Sequence, residues 1–163
     1  MTPRRVPFPL APPVTSSWFE KVGTALAALA VLACGGGTQT PVPQSLNETI
    51  AHFMAAVKTN DLERMGTLWG SERGPAAQWM KGTELRQRLA VIQKYLSHEG
   101  YQVIEGPLPV PGKDNVRMFR LELQRSTRCN VAFPIDLVRA KGGWLVNDVH
   151  LDVIGTPAAP CRP

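Results

Sequence analysis

The chain has 163 residues and a formal net charge of +5, with 44% hydrophobic and 19% charged residues. Residues 1–33 contain three basic residues and one acidic residue, which leaves 15 basic and 12 acidic residues in the rest, a net charge of +3. This excess is too small to indicate nucleic-acid binding, and the 118 residues from Leu46 to Pro163 are enough for one domain and too few for two.

An uncharged apolar run of twelve residues extends from Val22 to Ala33. A helix that spans a bilayer needs roughly 20 apolar residues, so this run is too short to be one. A hydrophobic segment of about 7–15 residues is typical of a secretory signal peptide. Arg4, Arg5 and Lys21 precede the run, as basic residues precede that segment in signal peptides. The pattern therefore predicts export.

The run ends in the sequence Val-Leu-Ala-Cys at residues 31–34, which resembles the lipobox of bacterial lipoproteins. The resemblance implies that residues 1–33 are a signal peptide cut after Ala33, and that diacylglycerol is attached to the Cys34 thiol. Two or three acyl chains retain a protein stably in a bilayer, whereas one does so only marginally. An ordinary secretory signal with cleavage elsewhere, or a buried helix, are the alternatives.

The lipobox resemblance also implies a location. The protein would be exported and lipid-anchored to the bacterial cell envelope through acylated Cys34, and would face the periplasm. Gly35 follows the cysteine, and it does not resemble the aspartate that retains enteric lipoproteins in the inner membrane. We therefore expect the outer membrane.

Residues 34–44 are predicted to be the lipidated cysteine and a linker. Three glycines make its first part flexible, and Pro41 and Pro43 favour extended structure at its far end. Ten residues reach at most about 35 Å. The folded domain, residues 45–163, is therefore expected to lie close to its membrane.

Two cysteines remain if Cys34 is lipidated, namely Cys129 and Cys161. An even number of cysteines in an oxidising compartment favours a disulfide. This bridge would contribute about 3–4 kcal/mol in the chain-entropy model and would hold the proline-rich C-terminal tail on the domain. Two independent reduced thiols are the alternative.

The first half of the domain has the apolar periodicity of three helices. Ser45 and Glu48 form a capping box that predicts the start of the first helix. Asn60 with Glu63 repeats this pattern for a short second helix, and a third helix is expected to end before Gly100. The residues expected on the buried faces are Ile50, Phe53, Met54 and Val57, then Leu62, Met65, Leu68 and Trp69, then Leu85, Leu89, Ile92 and Leu96.

After Gly100 the apolar period changes from 3.6 to 2, which predicts strands. We expect four, over residues 101–105, 119–123, 131–137 and 144–153. The prolines between 107 and 111 predict an extended connection, and Pro134 predicts an edge strand or a bulge. Three helices followed by four strands predict an α+β fold, with the helices on one face of an antiparallel sheet.

Two segments resemble the nuclear transport factor 2-like superfamily, which includes the SnoaL-type and ketosteroid-isomerase families. They are the opening helices, ETIAHFMAAVKTNDLERM, and the closing hairpin, KGGWLVNDV. The resemblance covers about residues 45–154. It implies that a curved antiparallel sheet of about four strands curls around the long helix into a cone, a cystatin-like roll, with an apolar pocket.

The resemblance implies that polar and aromatic residues line such a pocket. In enzymatic members an acidic residue or a histidine in the cone abstracts a proton, aided by a tyrosine or a second acid. The possible pocket residues are His52, Trp69, Tyr95, Asp136 and Asp148. None matches an enzyme motif, and a general base needs a perturbed pKa and a partner within reach. We therefore assign no catalytic residue, and we expect Asp136 on a solvated sheet face and His52 at the boundary of the core.

The three histidines, His52, His98 and His150, have no metal-ligand spacing with one another or with a cysteine. The sequence therefore predicts no metal and no cofactor. Asp148 and His150 are an even number of residues from Trp144, so their side chains are expected on the same face of the last strand as Trp144. A bulge between them and Trp144 would reverse this.

These observations favour a membrane-anchored, non-catalytic domain that binds a small apolar ligand or an envelope protein. A small enzyme of ketosteroid-isomerase or SnoaL type, and a structural accessory of an envelope assembly, are the alternatives. A deep pocket holding a desolvated carboxylate beside a tyrosine or histidine would favour the enzyme. A filled cone with an exposed apolar rim would favour partner binding.

Overall fold

The structure is a computed structural model that describes residues 42–125 and 129–155. The predicted signal peptide, the lipidation of Cys34 and most of the linker fall outside these residues, as does Cys161. Those predictions, including the disulfide, therefore stay predictions. None of the described helices is long and apolar enough to cross a membrane.

Three helices precede the four strands of the main sheet, as predicted, while a pair of two-residue strands lies before the third helix and a short fourth helix follows the sheet. The helices are α1 (Leu46–Thr59), α2 (Leu62–Leu68), α3 (Gly82–Leu96) and the short α4 (Leu151–Ile154). The strands are β1 (Gly70–Ser71), β2 (Gly74–Pro75), β3 (Gly100–Val110), β4 (Lys113–Gln124), β5 (Val131–Ala140) and β6 (Gly143–Val149). One 3₁₀ turn, Ala76–Gln78, lies between β2 and α3.

Capping fixes the junction between α1 and α2. The Ser45 hydroxyl accepts a hydrogen bond from the Glu48 amide at 3.2 Å, as the capping box predicts. Asn60 ends α1 in the left-handed conformation, with φ of 55°. The N-cap of α2 is Asp61 rather than the predicted Asn60, because the Asp61 carboxylate accepts from the Arg64 amide at 2.9 Å. One residue cannot both end the first helix in the left-handed conformation and begin the next.

Strands β3 to β6 form one antiparallel sheet in the order β3-β4-β5-β6. Apolar side chains from the helices and from one face of this sheet make a single core cluster. Its largest fully buried members include Phe53 from α1, Phe119 from β4 and Phe133 from β5. This arrangement confirms the predicted α+β class, with helices packed on a four-stranded antiparallel sheet.

The prolines after Gly106 do not interrupt β3, which corrects the predicted connection. The strand runs on to Val110 and pairs with β4 as far as Lys113, with register shifts along the way. Within the described sheet β3 is an edge strand. Proline is tolerated at an edge because the missing N–H faces no ladder partner.

Pro134 lies in β5, between β4 and β6, so the prediction of an edge strand is wrong. Its carbonyl oxygen accepts from the His150 amide at 3.3 Å, just beyond the last residue of β6. In an antiparallel strand the N and C=O of one residue point to the same side. The proline nitrogen therefore faces the end of β6, where a missing donor costs little.

Strand β6 is shorter than predicted and carries a bulge. It ends at Val149, and α4 begins at Leu151. Leu137 pairs with Val146, whereas Asp136 pairs with Asp148, so Asn147 is an extra residue on β6. A one-residue bulge reverses the faces of every following residue.

The outer edge of β6 is covered by two segments that precede α1 and follow α2. The Trp144 amide donates to the Pro43 carbonyl at 2.9 Å. Trp69 forms an isolated bridge with Val146, and the Asn147 side chain donates to the Gly70 carbonyl at 3.0 Å. These contacts protect an edge that would otherwise be open to pairing with another strand.

Candidate functional site

The space between the helices and the sheet is packed with side chains. Phe53, Phe119 and Phe133 are at most 1% exposed, and the aliphatic residues around them belong to the same cluster. Two cavities that are lined by described residues lie outside this packed interior. Neither of them lies in the centre of the cone, where the resemblance places the apolar pocket.

The larger cavity, of about 610 Å³, is an open groove between α2 and α3. Its apolar lining is supplied by α2, by the segment before α3 and by α3 itself. These side chains are Leu62, Met80, Leu85 and Leu89. The polar lining includes Asp61 and Glu63 at the start of α2 and Arg86 on α3. The groove thus combines an apolar lining with charged groups from both helices.

Gly66 explains why the two helices approach closely at one side of this groove. A Cβ atom at residue 66 would lie 3.2 Å from a methyl group of Leu85 and 3.4 Å from one of Leu89. The missing side chain lets α3 pack against the α2 backbone. Ala77 and Gly82 also line the groove.

The smaller cavity, of about 310 Å³, lies between α1 and the start of β3. His98 and Tyr101 line it, with their rings edge to face and 5.8 Å between centroids. Lys58 donates to the Glu99 carbonyl at 2.5 Å on the same side. Burial raises the pKa of the Tyr101 hydroxyl above its usual value.

His98 is expected to make the stability of the domain depend on pH. Burial lowers the pKa of His98, and the positive charges of Lys58 and Arg125 lower it further. A hydrogen bond between Nδ1 and the Leu96 carbonyl acts in the opposite direction, but the net effect is a lowered pKa. The folded state therefore binds fewer protons at His98 than the unfolded state, whose pKa is about 6.5. Its contribution to stability is full above that pH and decreases as the pH falls below it.

We expect the free energy of unfolding to decrease between pH 7 and pH 5 more steeply in the wild type than in His98→Gln. The glutamine keeps a polar side chain but cannot be protonated, so the difference in slope isolates His98. Urea denaturation at several pH values measures both slopes. Parallel slopes would show that His98 does not contribute.

Three of the predicted pocket residues are not brought together. His52, on α1, lies with its Nδ1 3.5 Å from the Arg64 guanidinium. Trp69 packs against the core at the end of α2. Tyr95 also packs against the core, and its backbone carbonyl accepts from Arg125 at 2.5 Å. None of the three is among the described residues that line either cavity.

Asp136 and Asp148 do come together, and His150 joins them. Asp136 is buried, which corrects the prediction of a solvated sheet face. The His150 Nε2 atom lies 3.5 Å from the Asp136 Oδ2 atom. The bulge at Asn147 is the reason, because it reverses Asp148 and His150 to the face of Asp136. The sequence offered the bulge only as an alternative, and His150 was not among the pocket candidates.

Comparison with solved structures gives distant likenesses. No protein-family model and no curated protein matches this chain. A crystal structure at 2.00 Å resolution, described as an NTF2-like transpeptidase from Campylobacter jejuni, is similar with a TM-score of 0.42 and 14% sequence identity. The match covers 64% of this chain and 99% of that one. At this distance the likeness assigns no activity, and the NTF2-like resemblance continues to rest on the two sequence segments and the α+β architecture.

Proposed function

We propose that this chain is a lipid-anchored protein of the bacterial envelope whose folded domain binds a small apolar ligand in the α2–α3 groove and does not transform it. The observation that carries the proposal is the pairing of a filled interior with an open groove of about 610 Å³. Ligand sites in proteins usually have volumes of about 300–1,000 Å³, a mainly apolar lining and a few polar groups.

The lining of the groove indicates the chemistry of its ligand. Leu62, Leu85 and Leu89 favour an apolar body, because burying it removes apolar surface from water on both sides. Arg86 can pair with a negatively charged end, although its exposure makes that contribution small. An uncharged molecule with an apolar body and a polar end fits a lining that carries two carboxylates and one guanidinium.

The groove supports binding better than catalysis. Among the described residues that line it there is no histidine and no tyrosine. Its two acidic residues, Asp61 and Glu63, are exposed. Asp61 is already engaged as the N-cap of α2. A desolvated base with a partner in reach, which proton abstraction needs, is not part of this lining.

The predicted anchor would place the groove where apolar ligands are found. A linker of ten residues reaches at most about 35 Å from the lipidated Cys34. A domain held at that distance can exchange hydrophobic molecules with the bilayer without a long passage through water. The anchor and the groove therefore support one function, although each rests on its own observations.

Filling the groove should abolish binding of an apolar probe. Ala77 lines the groove and is exposed, whereas the neighbouring Gln78 is exposed and not part of the lining. In Ala77→Phe we expect the affinity for a neutral naphthylamine dye to fall by more than about tenfold. Gln78→Phe places the same side chain at the adjacent residue, outside the lining, and should bind the dye as the wild type does. Fluorescence titration of each purified protein measures the affinities.

Two outcomes would contradict the proposal. The wild type could fail to bind the dye saturably, or both phenylalanine variants could weaken it equally. In the first case the groove takes no small apolar molecule, and the partner-protein alternative gains weight. In the second case the dye binds elsewhere.

A further inference from the structure

Three side chains with metal-ligating atoms converge on the sheet face opposite the helices. Asp136 alternates with Ile135 and Leu137, both of which belong to the core, so its side chain points to the other face. One ligating atom each from Asp136, Asp148 and His150 lies within 4.8 Å of the others. The cluster does not line the α2–α3 groove.

The backbone holds these three residues in fixed positions. Asp136 and Asp148 are cross-strand partners in β5 and β6. The His150 amide donates to the Pro134 carbonyl at 3.3 Å, which fixes the chain directly after β6. Asp136 and Asp148 thus lie in a hydrogen-bonded sheet, and one backbone hydrogen bond holds His150 beside it, as a site with defined geometry requires.

One carboxylate oxygen of Asp136 is buried and has no hydrogen-bond partner among the described residues. This oxygen is Oδ1, and the Asp136 side chain is only 10% exposed. The His150 Nε2 atom is also buried without a hydrogen bond, although it lies 3.5 Å from Asp136 Oδ2. Buried polar atoms in folded proteins are almost always satisfied, and a buried carboxylate is costly unless it is paired or coordinates a metal.

We propose that Asp136, Asp148 and His150 bind a divalent transition-metal ion, and that the preferred ion is Zn²⁺. Two carboxylates and one imidazole suit zinc, whereas Ca²⁺ and Mg²⁺ prefer oxygen ligands alone. In a tetrahedral zinc site the ligand atoms lie about 3.4 Å apart. Asp136 and His150 already have this separation, at 3.5 Å. The exposed Asp148 side chain can complete the set by rotation.

The proposed site has an open position. Zinc in proteins is usually four-coordinate, and three protein ligands leave one place for water or for a group from outside. The site is independent of ligand binding in the groove, because the two share no lining residue. It differs from the prediction of no metal, which rested on spacing along the chain. A cross-strand cluster has no such spacing.

Metal binding to the purified full-length protein tests the proposal. After treatment with a chelator and dialysis, calorimetric titration with Zn²⁺ should show saturable binding of about one ion per chain. Zn²⁺ should also raise the melting temperature, since an ion that binds only the folded state stabilises it. Asp148→Asn and His150→Gln should each weaken binding by more than about tenfold. Asp114→Asn removes an exposed carboxylate elsewhere and should bind as the wild type does.

Several results would overturn the proposal. They are the absence of saturable Zn²⁺ binding, wild-type affinity in Asp148→Asn, and displacement of Zn²⁺ by equal concentrations of Ca²⁺. Asp148 is exposed, so its variant is expected to fold, and the test does not depend on the buried Asp136. Dye binding in the groove is measured separately, so either proposal can fail without the other.

Discussion

Replacing Phe53 with alanine is expected to destabilise the domain by about 3–5 kcal/mol. Phe53 lies on α1, is 0% exposed and belongs to the core shared by the helices and the sheet. Its removal loses the transfer free energy of the ring and leaves a cavity that the neighbouring strands can fill only in part. Since domains of this size are typically stable by about 5–15 kcal/mol, this change would remove at least about a fifth of the stability.

Urea denaturation followed by tryptophan fluorescence measures this effect. Val91→Ala is the control, because Val91 is 51% exposed on α3 and its side chain can be shortened without opening a cavity. The control should change the free energy of unfolding by less than about 0.5 kcal/mol. Equal midpoints for the two variants would show that α1 does not pack on the sheet as described.

The second large effect is expected at Cys34. If the lipobox resemblance is correct, Cys34→Ser abolishes both the acyl chains and the cleavage after Ala33, because the thiol that receives the lipid is gone. Each buried methylene contributes about 0.8 kcal/mol to membrane binding, so loss of two or three acyl chains removes stable anchoring. The intact mass of protein purified from cells distinguishes the two forms directly.

Cys129→Ser is the matched control, since it also replaces a cysteine with serine but should keep the lipid mass and the cleavage. The wild-type mass further shows whether Cys129 and Cys161 are oxidised to the predicted disulfide. A wild-type protein with an unmodified Cys34 and residues 1–33 still attached would remove the anchor and the envelope location from the proposed function. The groove and the metal site would be unaffected, because neither depends on the anchor.

The groove and the proposed metal site lie on different layers of the domain. The groove is formed by α2 and α3, whereas Asp136, Asp148 and His150 are on the sheet face that points away from the helical core. The phenylalanine that blocks the groove is therefore expected to leave Zn²⁺ binding unchanged. The asparagine at residue 148 should in turn leave dye binding unchanged, and this pair of results would establish two independent sites.

Local signals along the chain predicted the main helices and strands and the fold class. Apolar residues recur with a helical period in α1 and α3 and alternate in β4 and β5. Each pattern indicates which face of its element is buried, and it can be recognised from residues that are close together in the chain. The capping box at Ser45 is local in the same sense. These signals predicted three helices followed by an antiparallel sheet, as the structure has them.

The positions of the groove and of the proposed metal site depend on contacts between distant segments of the chain. Whether Pro134 lies at an edge depends on which strands flank β5, and the face of Asp148 depends on a single extra residue opposite Leu137. The groove depends on how far α3 stands from α2 beyond the contact at Gly66. Each is a relation between segments far apart in the chain. Periodicity, which compares a residue with its neighbours, carries no information about such relations.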